Sequence, residues 1–193
     1  MSCPNVITQH LLVLMRRYPA HAEPLLAAFK AWIHYFSRCI EKGIHFKAGD
    51  LDISLSNERS FDTEINLLTN TANSRGSLMA SVYVNEPRQE GQSLSIAADL
   101  SIHFGDGLLL IVGYKFDENG CGWRLYGDDD LDEPSTPSQR KFARRQGFTL
   151  DKQNVRIAEA EGHDVAEHLL DEYVRLERMP HYRTYPQRRE MRV

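Results

Sequence analysis

The chain has 193 residues, 41% apolar and 26% charged, which suits one globular domain with a real core and excludes wholesale disorder. Its net charge of −4 and pI of about 6.1 argue against a dedicated duplex-binding domain, which is usually basic. The charge is unevenly spread. Residues 1–133 hold 11 Lys/Arg against 18 Asp/Glu, and residues 134–193 hold 12 against 9. An acidic body with a basic end suits docking within the chain or a charged partner.

The first expected element is a helix over 5–18. Val6, Ile7, His10, Leu11, Leu14 and Tyr18 fall at helical spacing, and Pro19 stops the run. A second helix is expected over 23–42, with Pro24 tolerated in its first turn and Gly43 as its stop. Leu25, Phe29, Trp32, Ile33, Phe36 and Ile40 form its broad apolar face, which should lie against a sheet.

From residue 51 the hydrophobic period changes to two. Leu51, Ile53 and Leu55 alternate with polar residues, as do Phe61, Thr63, Ile65 and Leu67, then Leu78, Ala80, Val82 and Val84. Leu94, Ile96, Ala98, Leu100, Ile102 and Phe104 alternate across a fourth strand. Such alternation belongs to an antiparallel sheet with one buried face and one wet face. The run "LLLIVGYKF" at 108–116 is apolar almost throughout, so it reads as the central strand, covered on both faces. "DENG" at 117–120 is a turn, and "CGWRLY" closes the sheet at Tyr126. The expected fold over 1–180 is therefore a single α+β domain. Two N-terminal helices pack on an antiparallel meander of five or six strands over 51–126, with C-terminal helices. No βαβ alternation supports a doubly wound nucleotide fold.

"EPSTPS" at 133–138 is a connector, after which Ser138 is expected to cap a helix over 139–146. A further helix is expected over 163–178, with Val165, Leu169, Tyr173 and Leu176 as its stripe and Pro180 after it. Residues 181–193 read as a basic, partly mobile tail. Three cysteines, Cys3, Cys39 and Cys121, stand at long spacings without a Cys-x-x-Cys, which argues against a disulfide framework and a structural zinc site. The short N-terminal apolar run has its basic residues after it, unlike a signal peptide, and no stretch reaches the length of a membrane span. A cytoplasmic protein without membrane contact is expected.

The most conspicuous polar feature is the acidic run Asp128, Asp129, Asp130, Asp132 and Glu133. It lacks the glycine and closing glutamate of a calcium-binding loop. It reads as a solvated turn or as an acidic patch that meets the Arg/Lys groups of a partner. Asp164, Glu167, His168 and Asp171 share one helical face, a weak candidate for a divalent metal. Acidic groups near a helix start also suit the macrodipole, and a solvated face is the plainer reading. The basic residues Arg140, Lys141, Arg144 and Arg145, with Arg183, Arg188 and Arg189 in the tail, form a second charged surface. Phe142, Tyr182 and Tyr185 among them offer stacking groups for a nucleic acid. Cys121 would need a base such as His103 or His45 to act as a nucleophile.

There is no Gly-x-Ser-x-Gly, no phosphate-binding loop and no dinucleotide fingerprint, and no cofactor is expected. The functional expectation is a non-enzymatic protein-binding domain whose charged surface meets a partner with a basic cleft. A bacterial inhibitor or immunity protein that blocks a cognate toxin or enzyme is its concrete form. Two alternatives stand behind it. One is an enzyme whose carboxylates and histidines converge only in the fold. The other is a nucleic-acid or phosphate binder built on the basic end.

Overall fold

A computed structural model describes residues 3–47, 49–57, 61–105, 107–128, 136–148 and 154–180. Helix α1 spans Cys3–Arg17 and α2 spans Ala22–Glu41, joined by a 3-10 turn at Pro19–His21. Seven strands follow, interrupted late by a short helix. They are β1 Leu51–Ser54, β2 Asp62–Asn70, β3 Ser77–Asn85, β4 Ser95–His103, β5 Leu109–Asp117 and β6 Gly120–Asp128, then β7 Val155–Ile157. Helix α3, Pro137–Arg145, stands between β6 and β7, and α4, Glu159–Glu177, ends the described chain. All seven strands form one antiparallel sheet in sequence order. The class is α+β, as expected, with one or two strands more than the sequence suggests. The extra strand is β7, three residues pairing Val155 with Leu125. A segment so short, with Val155 exposed, carries no readable alternation.

Helices α1, α2 and α4 pack on one face of the sheet. His10 of α1 bonds Thr63 of β2 at 2.8 Å, Tyr35 of α2 meets the Trp123 ring of β6, and Tyr173 of α4 reaches Thr69. Trp32 Nε1 donates to the Ala80 carbonyl oxygen at 3.0 Å, which ties α2 to β3. The core on this face includes Ile65, Val82, Ile96, Leu100, Val112 and Leu125, every second residue of successive strands. Burial of these apolar groups drives the layer arrangement.

Three expectations change. The strand buried on both faces is β4, the middle one of seven, and not β5, whose outward side chains Leu109, Ile111, Lys115 and Asp117 are only half-buried. The apolar run at 108–116 comes partly from Leu109 and Ile111, which face away from the helices. On α2, Leu25, Phe29 and Trp32 are buried, but Ile33 and Ile40 are 51% and 55% exposed. At 100° per residue the stripe through Leu25, Phe29, Trp32 and Cys39 turns Ile33 and Ile40 outward. Finally, α3 is capped by Thr136 and not by Ser138. Thr136 accepts from the Gln139 backbone while the Gln139 side chain reaches back, a reciprocal cap that places Pro137 in the first turn.

Candidate functional site

The face of the sheet turned away from the helices carries its own constellation. Register places Ser81, Asp99, Gly113, Arg124 and Arg156 side by side across β3 to β7. Asp99 is only 7% exposed and Arg124 only 4%. No described element covers them. Larger side chains flank them in the adjoining rows, among them Tyr83, Lys115 and Tyr126.

Gly113 makes the arrangement possible. A side chain there would overlap Asp99 Oδ1 and the Ala98 carbonyl oxygen, so the carboxylate lies in the space that Gly113 leaves empty. Arg124 runs the other way, along β6 over Gly122. It donates twice to Asp117, at 2.9 and 3.0 Å, and to the Gly120 carbonyl at 3.2 Å. This closes a paired charge at the β5–β6 turn. It also holds the Asp117 carboxyl below its usual range, Arg124 being the main cause.

Asp99 is less well served. Burial raises its carboxyl above the ordinary value, against the pull of Tyr126, Lys115 and Tyr83. The Tyr126 and Tyr83 hydroxyls pull on the Asp99 carboxylate from nearby, yet Asp99 Oδ1 and Tyr126 Oη, like Arg124 Nε, make no hydrogen bond of ordinary geometry among the described residues. Lys115 leans across the Gly113 row from its own position opposite Gly122. Its Nζ stands 4.0 Å above the centroid of the Tyr126 ring. A charged, desolvated carboxylate with an unmatched oxygen is expensive for a fold, and such groups concentrate at functional sites.

A second concavity, of about 600 Å³, lies where α2, β6 and the start of α4 meet. The His34 and His163 rings are 4.8 Å apart, and His163 packs against Trp123 at 4.7 Å. Gly162 lets α4 approach, since a side chain there would meet the Trp123 ring. Glu159 stands 3.6 Å from His163 Nε2. Burial, then the neighbouring His163, lowers the pKa of His34.

The residues singled out in the sequence fall as follows. Asp128 ends β6 opposite Leu109, on the same helix-free face as Asp99. Asp129, Asp130, Asp132 and Glu133 lie outside the described residues, as do Arg183, Arg188 and Arg189. Arg140, Lys141, Arg144 and Arg145 line a surface concavity of about 670 Å³ along α3. Of the α4 group, Glu167 binds two cations at the C-terminal end of α2, Arg38 within the helix and Lys42 just after it. Arg38 reaches it through Nε at 2.5 Å and Nη2 at 2.7 Å, and Lys42 lies at 3.0 Å. Arg38, ahead of Lys42, draws the Glu167 carboxyl down to about 2. Asp171 pairs with Lys42, while Asp164 and His168 are exposed. The acidic face therefore docks α4 on α2, and no group of metal-ligating side chains forms among the described residues.

Cys121 stands apart from both proposed bases. It pairs with Phe116, which pairs with Ile96, seven residues along β4 from His103, or roughly 23 Å at strand rise. His103 bonds the Gly107 carbonyl instead. His45 follows the far end of α2, whose start brings His21 against Phe116.

Asp99 escaped the sequence reading because it occupies a wet-face position in a clean alternation. Its signal was faint. A lone aspartate is flanked by small Ala97, Ala98 and Ser101, and a glycine interrupts the next strand. No helix among the described residues is long and apolar enough to cross a membrane. No protein-family model, curated protein or solved structure matches the chain.

Proposed function

We propose that the chain is a non-enzymatic binding domain that recognises another protein through the helix-free face of its sheet and the acidic run that follows it. The observation that carries this reading is the buried Asp99, with its unmatched Oδ1, at the centre of a face that no described element covers. Asp128, the first residue of the acidic run, stands on that same face, which also carries Lys115, Arg124 and Arg156, so the run would add negative charge to a face of mixed sign. The concrete form is a bacterial inhibitor or immunity protein. Such a protein presents carboxylates to a basic active-site cleft of a toxin or enzyme and excludes its substrate. The step to that class rests on general character. The test is charge reversal at Asp128, Asp129 and Asp130 to Lys, read as partner affinity across a salt series. A weaker complex with a shallower salt dependence supports the reading, and unchanged affinity removes the acidic run from it.

One observation favours a second reading. His34, His163 and Glu159 converge on a concavity floored by Trp123, as an acid–base site would require. In that reading His163 moves a proton and Glu159 orients it. Discovery of a turnover that His163→Gln abolishes while the fold persists would favour it over the binding domain.

A further inference from the structure

We propose that the Asp99 carboxylate and the Tyr126 ring form a binding site for an arginine side chain of the partner protein, a site that the chain's own Lys115 now covers. The inference rests on the helix-free face being the partner surface. It adds what that surface recognises at its centre.

The site already holds a cation. The Lys115 ammonium stands 4.0 Å over the Tyr126 ring and lies within electrostatic reach of Asp99. It reaches the aromatic half, and Asp99 Oδ1 keeps no hydrogen bond of ordinary geometry although the Tyr126 and Tyr83 hydroxyls lie close to the carboxylate. A guanidinium serves both halves at once. It is planar, stacks on a ring, carries five donors and is less strongly hydrated than an ammonium. Neutral guests leave the buried charge uncompensated, and a carboxylate guest repels it. Arg124 does not take this place, because its guanidinium is committed to Asp117 and Gly120 at the hairpin.

Exchange is feasible. Lys115 is a long flexible side chain on the half-buried rim, and its departure swaps one cation for another, so the charge of the site is kept. Asp128, two residues beyond Tyr126 on the same face, lies beside the entry and favours the approach of basic side chains.

The test needs no partner. Ethylguanidinium is titrated into the full chain while the Gly113 amide and the Tyr126 ring are followed by NMR. The Lys115→Met variant should show saturable shifts at both, with affinity about tenfold above wild type. Adding Asp99→Asn should abolish them. Tyr126→Leu in the Lys115→Met background is the second route if Asp99→Asn lowers the yield, and it should weaken binding too. Absence of a saturable shift at Gly113 in Lys115→Met overturns the proposal, as does equal affinity with Asp99→Asn in place. Propylamine binding as tightly as ethylguanidinium overturns the choice of arginine. Probe binding together with indifference to charge reversal at Asp128–Asp130 would remove the acidic-run mechanism and leave this site standing.

Discussion

The Asp99 carboxylate lies over the Cα of Gly113, in the place where any other residue would put its side chain. The two face each other in the ladder between β4 and β5, so the glycine is the condition for a buried charge at the centre of the sheet. Gly113→Ala should destabilise the protein by about 1–3 kcal/mol, the cost of forcing atoms into a filled space. Its Cβ would meet Asp99 and the Ala98 carbonyl oxygen, whereas one at Gly43 would meet nothing within 4 Å. Gly43→Ala should cost only about 1 kcal/mol, from its positive φ of 73°. Urea unfolding of both variants checks the contrast.

Asp99→Asn should stabilise the protein at neutral pH. The folded state raises the Asp99 carboxyl above its ordinary 3.8, so wild type loses stability as pH rises from there through the folded value. The variant lacks this loss, and its advantage should vanish in acid, where Asp99 is protonated in both states. Melting temperatures of the two proteins between pH 3 and 7, roughly the range in which such a group titrates, test the sign. An advantage at neutral pH would mark Asp99 as retained against stability, as a binding residue would be.

Tyr35 offers a similar comparison in the core. It is fully buried between α2 and the sheet, and its Oη has no partner among the described residues. Removing an unmatched buried hydroxyl without changing the ring should be neutral or stabilising by up to about 1 kcal/mol. Tyr35→Phe should therefore unfold at the same or a higher urea concentration than wild type.

Glu167 has the opposite sign. Arg38 and then Lys42 pull its carboxyl from 4.5 down to about 2, so the pairing is fully present above pH 4.5 and disappears as pH falls through about 2. Glu167→Gln should be less stable than wild type at pH 6, modestly because the pair is partly exposed, and equal to it near pH 2. Paired denaturation curves across that range make the comparison.

The thiols should differ sharply. Cys39 is fully buried, and burial pushes its thiol up to about 12, whereas Cys121 is exposed. In a Cys3→Ser background, one thiol should react with an aromatic disulfide reagent at pH 8, and Cys121→Ser should remove it. Reaction of two thiols in the folded Cys3→Ser variant would contradict the placement of Cys39.

Regular periodicity was the legible part of this fold. Leu94 to Phe104 announced one face of β4, and Val165, Leu169, Tyr173 and Leu176 announced the buried stripe of α4. Partnership between distant residues was not legible. Nothing local to Glu167 tells that Arg38, 129 residues earlier, will claim it. Ile33 and Ile40 looked like core because hydrophobicity alone does not fix where a stripe is centred. Asp99 hid because alternation says which way a residue points, and not whether large neighbours will close over it. The acidic run stands out in the sequence, but that its first residue, Asp128, shares a face with Asp99 follows only from the register of Asp128 with Leu109.

On the proposed reading, one partner protein engages the helix-free face and the acidic run together. The most direct measurement is calorimetric titration of a partner, purified after affinity capture from the source cells, against wild type, Asp128→Lys/Asp129→Lys/Asp130→Lys and Asp99→Asn at several salt concentrations. Both variants should bind at least about tenfold more weakly, the loss that one desolvated charge contact produces, and the triple variant should show a shallower salt dependence. A partner that binds all three proteins with the same affinity and salt slope would contradict the account.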